Sequence, residues 1–524
     1  MRRLLVEKDS YHDSVFLMLI SSEVKKLDGV REAVVSMGTA SNLQLLRGIG
    51  FSDEGLSSAT PNDLLIAVEA ADEDSAGRAL ARARELLAER KERGAAEAGY
   101  RPVSLDGALR LLPGANLLIV SVPGRYAARE ARLALERGLH VMLFSDNVGL
   151  EEEVALKKLA VRRGLLLMGP DCGTAIINGR PLCFANVVRR GRIGIVAASG
   201  TGLQEVSCLI HRLGEGVSQA IGTGGRDLSP QVGGATTLMG IEALQGDSGT
   251  GVIVVLSKPP APEVVGKVLK RLEGGAKPSV VHFLGVEARA TEGPVHYAAN
   301  LEEAAALAVS LLRGGPHRPH ALGLPERELE RLVEQEVSGM ALSQAYLRGL
   351  FTGGTLADEA LTLLQRELGG IYSNNQERPE LRLPDPRRST KHTVVDLGED
   401  VFTVGRPHPM IDPESRVERI RQEAQDPEVA VMLLDCVLGY GSHPDPAGAL
   451  VPSLQAARRR ARERGGHLAL VASVTGTEGD YQGLEEQRDK LHSAGCLLMP
   501  SNYQASLLAL RILKRIASRA AKEP

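Results

Sequence analysis

The chain has 524 residues, 43% apolar and 24% charged, which is enough for several globular cores. A formal net charge of −3 gives no field that would draw the whole chain to nucleic acid or a membrane surface. No apolar run approaches the roughly 18 residues that span a bilayer, and the scattered cysteines Cys172, Cys183, Cys208, Cys436 and Cys496 exclude a disulfide framework or a CxxC metal site.

The first stretch lacks the apolar region and cleavage site of a secretory signal, so the expected location is cytoplasmic. Residues 1–97 read as a small α/β module, ferredoxin-like in outline. A strand (Arg3–Glu7) leads to a helix from Asp13 or Ser14, on which Phe16, Leu17, Ile20, Val24 and Leu27 recur at helical spacing. Strands at Arg31–Met37 and Leu64–Glu69 and a polar helix Asp72–Arg93 follow. The module holds no catalytic constellation, and its expected role is interaction or scaffolding.

Residues 98–187 alternate strand and helix: Leu117–Val122, a Pro123-Gly124 turn, helix Arg125–Arg137, strand Val141–Phe144, helix Glu151–Arg163, strand Leu165–Met168. Strands joined by single helices imply a parallel sheet with right-handed crossovers. Residues 188–316 repeat the scheme with strands Arg192–Ala197, Gly216–Ile221, Gly251–Leu256 and Ser279–Phe283, a doubly wound sheet of flavodoxin size. Residues 317–340, with His317, Pro319, Pro325 and a charged helix, read as a link. Residues 341–524 form a last unit: a helix, the turn Thr352–Thr355, a second helix, a Pro/Arg-rich surface loop at Glu377–Arg388, then strands Thr393–Leu397, Ala430–Leu434 and Leu468–Val471 between helices. The expected fold class is therefore α/β, with several doubly wound parallel sheets behind a small N-terminal module.

Chemistry is expected where glycines follow strands. In GRIGIVAASGTGLQEV (Gly191–Val206) a buried strand ends at Ala198, and Ser199, Gly200, Thr201 and Gly202 turn into a helix. Unpaired first-turn amides, the helix dipole and two hydroxyls make a phosphate or carboxylate seat; the same residues also suit a plain capped turn. A second turn of this kind lies in LLDCVLGYGSHPD (Leu433–Asp445), with Gly439, Gly441, Ser442 and the loop histidine His443. Thr352–Thr355 and Thr475-Gly476-Thr477 are further examples. In MGPDCGT, Cys172 reads as a nucleophile or, lacking a paired histidine, a structural thiol. In GTGGRDLSP, Arg226 grips a carboxylate or phosphate, or pairs structurally with an acid. No metal site is evident.

Taken in order, MGPDCGTAIING, GRIGIVAASGTGLQEV and AIGTGGRDLS resemble the α subunit of succinyl-CoA synthetase. Residues 340–515, with VVDLG and the Gly439–Gly441 loop, resemble the C-terminal domain of its β subunit. The fused arrangement, with an extra N-terminal module and no ATP-grasp domain, resembles the FdrA family of acyl-CoA-synthetase-like proteins. The resemblance implies a CoA-binding-like Rossmann domain, two succinyl-CoA-synthetase-type flavodoxin-like domains, and CoA contacts near Ser121, Pro123, Arg125 and Asn147. It implies two helix N-termini holding one phosphate, after Ser199–Gly202 and after Gly439–Ser442. His296 falls near the position of the family's phosphohistidine, without its Gly-His-Ala-Gly setting, and Lys258 falls near the acidic residue that orients it. A lysine there attracts a free acyl phosphate. The implied ligands are an acyl or carbamoyl phosphate and a small carboxylic acid.

Two activities follow from the resemblance. One is an NDP-forming, succinate-CoA-ligase-like acyl-CoA ligase working with a separate nucleotide-binding partner subunit, and inactive with ATP alone. The other is a subunit of an oxamate carbamoyltransferase in ureide (purine) catabolism, joining carbamoyl phosphate and oxamate, with Lys258 or Arg226 on the carboxylate. A non-catalytic scaffold subunit is the third reading.

Overall fold

A computed structural model describes residues 1–520 except 11, 13, 52, 53, 97–101, 287–292, 317–321 and 405. The expected boundary at 97–98, the helix start at Asp13, and His317 and Pro319 of the expected link lie outside the described residues. The chain divides into two compact units, Met1–Leu111 with Asp400–Pro407, and Leu112–Glu399 with His408–Pro524.

In the first unit β1 (Arg2–Glu7), β2 (Val30–Met37) and β3 (Leu64–Ala70) form an antiparallel sheet in the order β1-β3-β2. Alternation along β3 decides its faces. Ile66 and Val68 meet Leu17, Ile20 and Val24 of α1 (Ser14–Lys25) and Ala76, Ala79 and Ala83 of α2 (Glu73–Ala96). Leu65 and Ala67 meet Leu46, Phe51 and Leu56 on the other side.

The second unit holds three sheets. The first is parallel: β4 (Leu117–Val120), β5 (His140–Leu143) and β6 (Leu167–Met168), with α3 (Gly124–Glu136) and α4 (Leu150–Arg163) between them. The second contains β7 (Thr174–Ile177), β8 (Arg180–Cys183), β9 (Arg190–Ala198), β10 (Val217–Gly222), β11 (Val252–Ser257), β12 (Ser279–Phe283) and β13 (Val295–Tyr297), in the order β13-β12-β11-β9-β10-β7-β8. All its pairings are parallel except β10–β7 and β7–β8. The third sheet is parallel throughout: β14 (Tyr346–Phe351), β15 (Tyr372–Ser373), β16 (Thr393–Asp396), β17 (Val429–Val437), β18 (Ala469–Thr475) and β19 (Cys496–Met499), in the order β15-β16-β14-β17-β18-β19.

One continuous core joins the last two sheets. It includes Leu203, Val206 and Leu209 of α5 (Gly200–Arg212), Leu301, Ala304 and Ala308 of α6 (Leu301–Arg313), Leu356 and Ala360 of α7 (Gly354–Leu368), and Leu508 and Ile512 of α9 (Asn502–Ala520); α8 (Pro446–Glu463) precedes β18. The doubly wound α/β class expected from the alternation of strands and helices is what the chain adopts.

Two local expectations are corrected. Residues before Thr352 were expected to be helical, but Tyr346–Phe351 is a buried strand between β16 and β17. Its six residues are too few for an independent helix and are buried on both faces, as a central parallel strand requires. The MGPDCGTAIING segment supplies β7, which with β8 forms a hairpin on the seven-stranded sheet rather than a part of the β4–β6 sheet.

Candidate functional site

Both larger sheets change winding direction at one strand. In the seven-stranded sheet the chain runs from β9 to β10 on one side, then to β11 on the other. In the six-stranded sheet β16 lies on one side of β14 and β17 on the other. The crevice outside the carboxyl ends of the strands at such a point is where open α/β sheets take their ligands. Ser199–Gly202 and Lys258 occupy it in one sheet, Thr352–Thr355 and Asp435 in the other.

These two crevices meet. Ser199 caps α5, its Oγ accepting from the Gly202 N–H at 3.1 Å, and the same Oγ lies 2.8 Å from Thr355 Oγ1 in the first turn of α7. A Cβ at Gly353 would stand 2.8 Å from the Thr201 methyl, and one at Gly202 would stand 3.0 Å from the Thr355 methyl. Glycine at 202 and 353 is thus what allows two helix starts to approach this closely. Among the described residues no hydrogen bond is accepted from the N–H groups of Gly200, Thr201, Gly354, Thr355 or Leu356. Both helix starts carry partial positive charge.

Asp435 fixes the second turn. Fully buried at the end of β17, it accepts from the Thr352 and Gly353 N–H groups (3.0 and 2.9 Å), from Thr352 Oγ1 (3.0 Å) and from Arg416 (2.8 Å). The turn amides are spent on Asp435, and those of the first helical turn are left facing outward.

Acid and base stand beside the helix starts. Lys258 Nζ lies 3.2 Å from Asp358 Oδ2. A Cβ at Gly354 would meet Asp396 Oδ2 at 2.6 Å and Lys258 Nζ at 3.2 Å. Burial lowers the Lys258 ammonium, but Asp358, Asp396 and Glu399 outweigh it and hold the pKa above the ordinary range. Burial pushes Asp396 up to about 7, against the pull of Lys258 and the Gly398 N–H. His408 presents Nε2 to the same place, 2.6 Å from where a Cβ on Gly398 would sit, while its Nδ1 accepts the Met410 N–H at 3.2 Å. Burial pushes this imidazole down to about 4, so it is neutral, with its proton on Nε2. Phe184 closes the rim, 6.0 Å from the His408 ring, and its carbonyl accepts from Thr174 Oγ1 beside Gly200. The arrangement offers amides, hydroxyls, an ammonium and a neutral imidazole to one tetrahedral anion.

The structure gathers some expected residues and not others. Ser199, Gly200, Thr201, Gly202 and Lys258 line this crevice. The loop Gly439–Ser442 sits on its flank instead: a Cβ at Gly441 would strike the Phe184 ring at 2.7 Å. Four of the amides here are committed, Gly439 to Gln482 Oε1, Tyr440 to Ala185 O, Ser442 to Gly439 O and His443 to Met410 O, while among the described residues no partner takes the Gly441 N–H. The helix after it begins at Pro446, which has no N–H, and is already capped by Asp445. The second helix start facing α5 is therefore that of α7, not of α8.

His296 lies on the edge strand β13, opposite Val280, and burial lowers its pKa. Lys258 follows β11, whose Ser257 pairs with Phe283. His296 is thus about 10 Å across the sheet from Lys258 and about 10 Å back from the carboxyl edge.

Ser121, Pro123 and Arg125 surround the start of α3. A Cβ at Gly124 would meet the Asn147 carbonyl at 2.4 Å, so this strand end and the Asn147 turn share one edge of the β4–β6 sheet. Arg226 pairs with Glu153 at 2.8 Å. Cys172 is buried and pushed up to about 12, a structural thiol. The signal for α7 was present: Phe351-Thr-Gly-Gly-Thr repeats the strand, glycine and hydroxyl pattern of Ala198-Ser-Gly-Thr-Gly.

Residues 350–512 match the family described as CoA-ligase, so the C-terminal part of the chain is of CoA-ligase type. Residues 1–102 match "AllF, heavy metal-associated domain". That segment contains no cysteine, and no cluster of metal-ligating side chains occurs among the described residues, so its residues do not fit a thiolate-bound metal. Over the full length, the chain is 46% identical to the uncharacterized protein YahF of Escherichia coli (strain K12), across 97% of this chain and 98% of that one. A 118-residue stretch, 21% of the chain, is 30% identical to the α subunit of the ADP-forming succinate–CoA ligase of Aquifex aeolicus, covering 39% of it. A similar stretch, also 21% of the chain, is 26% identical to SauD, a subunit of the ADP-forming sulfoacetate–CoA ligase of Bilophila wadsworthia, covering 40% of it.

Proposed function

The chain belongs to the same family as Escherichia coli YahF, and from that premise we propose that it is an FdrA-type, acyl-CoA-synthetase-like subunit that handles an acyl or carbamoyl phosphate. The observation that carries this reading is the meeting of the α5 and α7 starts, with Ser199 Oγ 2.8 Å from Thr355 Oγ1 and Lys258 beside them. Phosphate is the group two such helix ends suit best: fixed amides and a cation stabilise it as it leaves or attacks, at no reorganisation cost. The relatives named for CoA ligases support a CoA-linked activity of the NDP-forming kind, with CoA at Ser121, Pro123, Arg125 and Asn147. In this reading a partner subunit supplies the nucleotide site, and the chain does not act on ATP alone. The expected setting is cytoplasmic.

Direct carbamoyl transfer is a second reading, favoured by one observation. His296 is two strands from Lys258, which favours a reading that does not use it as a phosphoryl relay. Transfer then needs no enzyme-bound phosphoryl group: a nitrogen of an oxamate-like acid adds to the carbamoyl carbon, the bond from that carbon to the phosphate oxygen breaks, and the departing phosphate takes up the proton that the nitrogen loses. Lys258 holds the carboxylate or the departing phosphate.

The test is an assay of the complex purified with its natural partners. Carbamoyl phosphate with and without oxamate is compared with succinate, CoA and ATP. Phosphate release that depends on either acceptor, and is lost in Ser199→Ala, supports the reading. Activity absent from both reactions, with Ser199→Ala altering assembly only, leaves a scaffold.

A further inference from the structure

Two helix starts of like partial charge repel, yet α5 and α7 meet head to head. What ties them lies one turn behind. Glu205 on α5 and Glu359 on α7 each follow the seat threonine of their own helix, Thr201 and Thr355, by four residues. Both are buried, and both are held by Asn502 at the start of α9: its N–H donates to Glu205 Oε1 at 3.0 Å and its Nδ2 donates to Glu359 Oε2 at 2.8 Å. Glu302, at the start of α6, joins them through Ser501 and through Gln504 Nε2 at 3.0 Å.

Among the described residues, the hydrogen-bond partners of these carboxyls are all neutral: the Thr475 and Ser501 hydroxyls, the Asn502 and Gln504 amides, and the Leu301 N–H. Arg212, the cation on α5 that faces Glu205, gives its donors to the carbonyls of Pro500 and Val474. Arg366 faces Tyr503 next to Asn502, and Tyr503 in turn faces Glu359, Glu302 and Glu303. Buried carboxyls without a paired cation cannot all ionise. One further atom points the same way. Asn502 Oδ1 is buried and, among the described residues, accepts from nothing. The donor it lacks is one that a protonated carboxyl supplies.

Resting on the anion seat proposed above, we infer that anion binding between the α5 and α7 starts is coupled to proton uptake by the Glu205–Glu359 pair, with Asn502 as the residue that positions both helices. Burial already raises Glu205, and raises Glu359 to about 7. An anion about two helical turns away raises both further, so it enters with a proton. The linkage is reciprocal: affinity falls as pH rises through the pair's titration.

Sulfate tests this, because it does not itself titrate near neutrality. Calorimetric titration of the full chain in buffers of different ionisation enthalpy, from pH 6.5 to 8.0, reads both affinity and protons exchanged. The expected result is uptake of roughly half a proton to one proton per sulfate, with affinity falling roughly sixfold to thirtyfold across that range. In Glu359→Gln, and independently in Glu205→Gln, uptake drops and affinity at pH 8.0 exceeds wild type. Asp396, closer to the seat, is separated by Asp396→Asn. Uptake that survives both glutamine variants but disappears in Asp396→Asn overturns the inference, as does sulfate binding without proton exchange. Failure of the wild type to bind sulfate at all overturns the seat itself.

Discussion

Asp435 and Ser199 do comparable work on the two sides of the crevice: each satisfies the turn before a helix, so that the amides beyond it remain free. Their removal differs in cost. Ser199→Ala deletes an N-cap worth about 1 kcal/mol and the contact to Thr355, so we expect a small drop in unfolding free energy and a larger drop in anion affinity. Asp435→Ala leaves Arg416 buried without its partner, at a cost of about 3–5 kcal/mol, and is expected to abolish folding at moderate urea concentration. His408 gives a pH prediction. Its folded pKa of about 4 lies below the roughly 6.5 of an exposed imidazole, so its contribution is present above about pH 6.5 and is lost as pH falls toward 4. Urea unfolding at pH 7 and pH 5 should show wild type losing stability relative to His408→Gln on acidification; a constant difference contradicts the neutral, buried imidazole.

At the scale of elements, α5 and α7 touch where side chains are absent. Gly353→Ala places a methyl 2.8 Å from the Thr201 methyl and 2.9 Å from Thr201 Oγ1, with rigid helix starts on both sides. Overpacking of this kind costs about 1–3 kcal/mol, and parting the helices should weaken anion binding at least as much. Gly266→Ala, where a Cβ meets nothing within 4 Å, is the matched control. The doubly wound strands were legible because short apolar runs bounded by glycine recur between amphipathic helices, as at Ser279–Phe283. The first seat was legible for the same reason. The second, Thr352–Thr355, is visible as a glycine turn of the same kind, but its weight depends on recognising Tyr346–Phe351 as the strand before it rather than as helix. Gly439–Ser442 follows a strand and looks equivalent, but the Gly439, Tyr440 and His443 amides are consumed by Gln482, Ala185 and Met410, residues distant in sequence. His408 and Asp435 were out of reach for the same reason: nothing local marks which distant turn a buried side chain will face.

For the molecule as a whole, the crevice is assembled by the core shared between the seven- and six-stranded sheets, and every residue assigned to it lies within the second compact unit. A site of this kind belongs to one cooperative structure, so urea transitions followed by intrinsic tyrosine fluorescence and by loss of sulfate binding should coincide for that unit. The most direct test of the central claim is a crystal structure of the chain with tungstate, whose anomalous signal locates the anion without ambiguity. The account predicts a peak about 4 Å from the Thr201 and Thr355 amide nitrogens, one tungsten–oxygen bond beyond hydrogen-bond distance. A peak on the Gly439–Ser442 loop instead, or none between α5 and α7 at saturating tungstate, contradicts it.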